Sequence, residues 1–237
     1  MSYRAVFFDL DDTLCDESGA WRDCAAGTAA IAARHLPGMK AAVLAEYFLG
    51  HSDAFWRAMD PVQETRPILA IRASHWLATL EAFGHPDAAL AEELARDYGR
   101  RRDTELALFP DALPLLSALR AAGKTLILIT NGMQETHVER IAFLGLEAYF
   151  HHTLISDAVG LFKPDPRIFR HALALAGCAP PEAAMVGDNP VNDIFGARGV
   201  GLDAFWFNPH GRPLPPEVPP PTGEVRELSE LTPLLTA

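Results

Sequence analysis

The chain has 237 residues, 49% of them apolar, and a formal net charge of −11, enough length and apolar material for one elaborated domain or two small ones. That acidic balance excludes a nucleic-acid polymer as the expected partner, because such affinity comes mostly from clustered Lys and Arg displacing counterions. No apolar run reaches about 18 residues and no basic, apolar leader precedes the first strand pattern, so a membrane or secreted protein is not expected and the chain reads as cytoplasmic. Residues 4–9 open the fold: Ala5, Val6, Phe7 and Phe8 in succession do not alternate, which predicts a strand covered on both faces. From about Asp16 to Ala107 the composition turns to Ala, Leu, Glu and Arg with no strand pattern. About four helices are predicted there, broken at Pro37-Gly38, near Asp60-Pro61 and at Gly84-His85-Pro86. A short helix after Phe109-Pro110-Asp111 stops at Gly123, and Thr125 to Ile129 form a second buried strand.

Strand and helix then alternate. A helix from about Met133 to Leu144 leads to a strand near Thr153 to Ser156, and Asp165-Pro166 opens a helix that Gly177 closes. Strands at Ala184 to Val186 and Ala204 to Phe207 flank a helix near Val191 to Arg198. Residues 209–223 read as an extended Pro-rich surface loop, followed by a short element near Glu227 to Leu235. Alternation of this kind implies parallel pairing with right-handed crossovers. The expected fold is α/β, a doubly wound, mainly parallel Rossmann-like sheet with an inserted all-helical cap domain. Residues 1–15 and 108–237 form the expected core and residues 16–107 the expected cap.

In such sheets ligands bind beyond the carboxyl ends of the strands. After the first strand stand Asp9, Asp11 and Asp12; two like charges about 4 Å apart at an effective dielectric near 20 repel by about 4 kcal/mol, so a divalent cation is the expected neutraliser. After the second come Thr130-Asn131-Gly132. In the loop after the third comes Lys163-Pro164, and after the fourth Gly187-Asp188, with Asp193 further on. Thr130-Asn131-Gly132 alone would suit a hairpin, but Val138, Ile141, Ala142 and Leu144 continue as a helix, which Thr130 or Asn131 is placed to cap. Each motif alone is ordinary turn chemistry; together, after successive strands, they point to one site. Lys163 is one of only three lysines, with Lys40 and Lys124, among 20 basic residues. Cys15, Cys24 and Cys178 are odd in number and lack metal-ligand spacing, so they read as reduced thiols.

This set, in this order, resembles the four motifs of the haloacid dehalogenase-like superfamily, and the resemblance spans the chain, helical insert included. It implies an aspartate nucleophile at Asp9, a general acid/base at Asp11, phosphate binding by Thr130 and Asn131, a steadying Lys163, and Asp188 completing a magnesium site supported by Asp193. The chemistry agrees: a carboxylate attacking phosphorus splits one hard hydrolysis into two displacements, and Mg²⁺ favours oxygen ligands such as Asp9, the Asp11 backbone carbonyl and Asp188. The dehalogenases of the superfamily lack the second aspartate, so Asp11 speaks against dehalogenation. A phosphonate hydrolase would need a cap lysine, for which only Lys40 is present. A phosphosugar mutase shares the four motifs, and a non-catalytic phosphate binder would not require both nucleophile and acid. A helical cap favours small phosphate esters, with Trp21 and Arg22 as candidate pocket residues and Phe55 and Trp56 expected in the cap core. The stretch from Gly187 to Pro209 is similar to the branch of pyrimidine 5′-nucleotidases and acylneuraminate-9-phosphatase, which makes a nucleoside monophosphate the first substrate expectation.

Overall fold

The computed structural model describes residues 2–59 and 64–236. Its packing divides the chain into two compact units, Met1–Asp16 with Ala107–Ala237, and Glu17–Leu106. The expected break at Asp60-Pro61 lies outside the described residues.

The first unit is built on a six-stranded sheet of order β3-β2-β1-β4-β5-β6 in which every neighbouring pair is parallel. The strands are β1 (Ala5–Phe8), β2 (Thr125–Thr130), β3 (His152–Ile155), β4 (Ala183–Gly187), β5 (Asp203–Phe207) and β6 (Gly223–Val225). Ala5, Val6, Phe7 and Phe8 are all wholly buried, as an apolar run without alternation requires. Phe7, Ile127, Ile129, Phe169, Met185 and Trp206 belong to the core on one face of the sheet. Central β1 pairs with β2 on one side and β4 on the other, and Asp9 N–H donates to the Val186 carbonyl (2.9 Å), carrying the ladder one residue past β1. The carboxyl ends of β1, β2 and β4 therefore lie side by side, which is where the crossover order reverses.

Helix boundaries follow local chemistry. Asp165 caps the helix Pro166–Ala176 by accepting from Arg167 N–H (2.8 Å), and Gly177 ends it in the left-handed region at φ 60. Two expectations are corrected. The segment expected as a helix near Val191 to Arg198 is a π-helical turn over Pro190–Phe195 followed by one short helical turn, because the Asn189 side chain accepts from both Val191 N–H and Asn192 N–H and opens the turn wide. The segment 209–223, expected as loop, runs at Gly223 into β6, which pairs with β5 although only Val225 of its three residues is buried.

The second unit is helical, α1 (Glu17–Ala32), α2 (Ala41–Ala58), α3 (Ile68–Ala82) and α4 (Ala88–Glu105), and in the first unit α5 (Ala112–Ala121) precedes β2. The core of the second unit holds Phe48, Trp76, Leu80, Leu94 and Tyr98, with the Phe48 and Trp76 rings stacked at 4.1 Å. Phe55 and Trp56 are not in that core. Being large and near the end of α2, they stay half-buried and set their edges against the His75 ring, at centroid distances of 4.8 and 6.4 Å. His75 itself is buried, meets Ser52 Oγ through Nδ1 at 3.0 Å, and is pushed down to about 4 by burial first, then by His51 and Arg66. Asp97, also buried, is held below its usual range despite desolvation, because Arg101, Thr28 and Arg100 all bond to it. No helix among the described residues is long and apolar enough to cross a membrane.

Candidate active site

Asp9 leaves the end of β1 with its side chain 9% exposed, and the Lys163 ammonium meets its Oδ1 at 2.6 Å. The same ammonium meets Asp193 Oδ1 at 2.7 Å, so one lysine joins two acids from different loops. Asp193 Oδ2 accepts from Asn189 N–H (3.0 Å), which ties the π-helical turn to the end of β4. Gly187 makes this possible: a Cβ there would overlap the Asp193 carboxylate. Thr13 bridges the other side, accepting from Asp188 N–H (2.9 Å) while its hydroxyl lies 3.3 Å from Asp9 Oδ2 as donor. Asp9, Asp188 and Asp193 each place one carboxylate oxygen within 4.8 Å of the others.

Asp188 is fixed by the end of β5 and by the loop that follows it. Trp206 Nε1–H and the Arg212 guanidinium both donate to its carbonyl, at 2.8 and 3.0 Å, and Arg212 also reaches its Oδ2 at 3.0 Å. Arg212 is placed by buried Asn208, whose side chain bonds both its N–H and its carbonyl (2.9 Å each).

Asn131 does something other than capping. The helix α6 (Gln134–Phe143) has Met133 at its cap position with no side-chain bond, and Gln134 N–H is satisfied by Asp157 Oδ2 at 3.0 Å. Asn131 instead accepts from Lys163 N–H (2.8 Å) and Ser156 Oγ (2.6 Å) and donates to the Lys163 carbonyl (2.8 Å). It positions the lysine loop. A loop backbone with a free donor and acceptor competes better for an amide side chain than a helix end already served by an aspartate. Thr130 is buried as the last residue of β2, its carbonyl sharing the Ser156 hydroxyl at 2.8 Å.

Asp11 turns away from the acid cluster. Its Oδ1 receives Arg140 Nη1 at 2.7 Å and its Oδ2 meets His137 Nε2 at 3.1 Å, both from α6. Trp21 is half-buried and Arg22 exposed, both on α1 of the helical unit.

Electrostatically the cluster is acid-rich. Burial, then Asp193 and Asp188, pushes the Asp9 carboxyl up while Lys163 opposes the rise. Asp188 is pushed up to about 7, by burial and then by Asp193, with Arg212 opposing and Asp12 adding to it. Burial works against the Lys163 charge, but Asp193 and Asp9 outweigh it and hold the ammonium above its usual range. Three carboxyl groups thus face two cations, and carboxyls raised by crowding are the donor set that a hard divalent cation favours. The residues fit Mg²⁺. Thr13, Ser156, His137, Arg140 and Arg212 were not singled out from sequence. The signal available for two of them was the spacing of His137 and Arg140, one helical turn apart just after Thr130-Asn131-Gly132.

Known proteins resemble this chain over most of its length. A model of haloacid dehalogenase-like hydrolases matches residues 3–201. The chain is 44% identical over 150 residues to the phosphoserine phosphatase of Thermus thermophilus, covering 62% of this chain and spanning 59% of that protein. It is 31% identical over 246 residues to the N-acylneuraminate-9-phosphatase of Mus musculus, covering 98% of this chain and 93% of that one. The crystal structure of the HAD-hydrolase YfnB of Bacillus subtilis, bound to magnesium, superimposes over the full length of both chains with a TM-score of 0.78 at 27% identity.

Proposed function

The chain belongs to the haloacid dehalogenase-like hydrolase family, as a hydrolase of phosphoric monoesters, and on that premise we propose a magnesium-dependent phosphatase working through a phosphorylated Asp9. The observation that carries the reading is the Asp9, Lys163, Asp193 chain of contacts beside Asp188, with Asp11 held apart on its own partners. In the first displacement an Asp9 oxygen bonds to phosphorus, the bond from phosphorus to the leaving oxygen breaks, and that oxygen takes a proton from the Asp11 carboxyl. In the second, water bonds to phosphorus and gives its proton to Asp11, and the bond to Asp9 breaks, releasing phosphate and restoring both acids. Lys163 keeps Asp9 oriented and offers positive charge to the phosphoryl oxygens. Mg²⁺, held by Asp9, Asp188 and the Asp11 backbone carbonyl with Asp193 behind them, would supply the further charge that a dianionic ester needs. Asn131 keeps one amide hydrogen beyond the one given to Lys163, and it and Thr130 border the phosphate.

The substrate in this reading is a small soluble phosphate ester in the cytoplasm, where Cys15, Cys24 and Cys178 stay free. The helical unit serves as the cap, with Trp21 and Arg22 as its pocket residues. Nucleoside monophosphates stand first, and the phosphoserine and N-acylneuraminate 9-phosphate of the relatives' names are the natural competitors. Phosphate release from all three classes, with Mg²⁺ and with chelator, is the test. Metal-dependent turnover that disappears in Asp9→Asn is expected; turnover that survives in that variant rules Asp9 out as the nucleophile.

A further inference from the structure

Asp11 is held differently from Asp9 at the end of β1. Its two oxygens are taken by two side chains from one helix, Arg140 at 2.7 Å on Oδ1 and His137 at 3.1 Å on Oδ2. Positions 137 and 140 lie one turn apart on α6, so they project from the same face and grip both sides of the carboxyl group. The grip is built in. His137 is 5% exposed, its Nδ1 is anchored on the Met133 carbonyl (3.1 Å), and its ring fills the space that a side chain on Gly132 would need. Arg140, with its side chain only 11% exposed, brings a planar fork whose direction is more defined than a lysine's. Between them the Asp11 side chain keeps 26% exposure, far more than Asp9, so its carboxyl is aimed and still reachable.

We propose that His137 and Arg140 are positioning residues for Asp11, fixing the direction from which its carboxyl meets the leaving oxygen. The inference rests on the phosphatase reading above and assigns to it two residues that act through Asp11. A displacement of about 1 Å in a proton donor can cost about a hundredfold, which is the scale available to such a pair.

The experiment compares two substrates on the full chain with Mg²⁺: glycerol 2-phosphate, whose alkoxide leaves only with a proton, and 4-nitrophenyl phosphate, whose phenolate leaves without one. Because kcat/KM reports the chain only as far as the first displacement, it isolates the acid step. Arg140→Ala and His137→Phe are expected to lower kcat/KM for glycerol 2-phosphate by about tenfold to a hundredfold and that for 4-nitrophenyl phosphate by less than about threefold. Arg140→Lys and His137→Gln recover part of the loss, and they carry the test if the larger truncations fail to fold. Equal losses on both substrates, or no loss on either, overturn the inference. Wild-type protein that hydrolyses neither substrate nor any other monoester overturns the phosphatase reading instead.

Discussion

Both units of this protein bury charge, and they settle it in opposite ways. In the helical unit Asp97 is surrounded by Thr28, Arg100 and Arg101, and its carboxyl is held low; buried Arg102 pairs with Glu17. In the α/β unit Asp188 carries the same functional group into a crowd of acids and is pushed up to about 7. Burial pushes both carboxyls up; at Asp97 the bonds to Arg101 and Thr28 and the nearby arginine charges outweigh it, whereas at Asp188 the charges of Asp193 and Asp12 add to it beyond what Arg212 offsets. Balanced buried charge holds a fold together. Unbalanced buried charge is tolerated where something arrives to neutralise it.

The contrast can be broken most sharply at Asp9. Asp9→Asn is expected to lower phosphate release by about ten-thousandfold or more while the melting temperature stays near that of the wild type, whereas Asp97→Asn leaves turnover within a few-fold. Next comes stability. Lys163→Met leaves Asp9 and Asp193 facing each other in the interior and is expected to cost about 3–5 kcal/mol in urea unfolding without divalent cation. Asp97→Asn, whose partner Arg101 has a path to solvent at 32% side-chain exposure, costs about 1 kcal/mol. Equal costs would erase the distinction between the two neighbourhoods.

Magnesium offers a third measurement. At about a hundredfold excess over Kd it is expected to stabilise the wild type by about 2.7 kcal/mol in thermal melts, reversibly on chelation. Asp188→Asn should lose that shift and Asp97→Asn should keep it. A fourth measurement concerns His75, whose folded value near 4 lies below the ordinary 6.5. The unfolded chain then binds the proton first, so stability falls as pH drops from about 6.5 toward 4 and loses nothing more from this group below that. After allowance for partial solvent screening the loss is about 2 kcal/mol, read as the difference in pH dependence of unfolding between wild type and His75→Phe. Parallel curves would show that His75 does not titrate as placed.

What was legible in the sequence was whatever local physics decides alone. Buried strands announced themselves as unbroken apolar runs at Ala5–Phe8 and Thr125–Thr130, and Asp165 with Gly177 marked both ends of their helix. The residues after those strands were legible too, since the fold class says where to look. What stayed hidden depends on partners distant in the chain. Nothing local tells that Asn131 will serve Lys163 rather than a helix end, or that Asp11 will be gripped from residues 137 and 140. β6 escaped because three residues with one buried side chain carry no periodicity, and only the free edge of β5 makes them a strand. The π-helical turn escaped because Asn189-Pro190 opens an α-helix and a wider turn equally well.

The segment joining β1 to the helical unit has one more consequence. Asp16 N–H bonds to the Ala107 carbonyl (3.1 Å), Phe109 N–H bonds to the Leu14 carbonyl (2.9 Å), and Cys15 bridges Leu108 in antiparallel fashion. The polypeptide therefore leaves and returns through a single doorway, its two jambs clasped to each other within the sheet-bearing unit. A module mounted that way is exchangeable: residues 17–106 can be cut out and another relative's equivalent spliced in at two neighbouring junctions, with no strand of the sheet rethreaded. Such a graft would leave Asp9, Lys163, Asp188 and Asp193 together on their original scaffold.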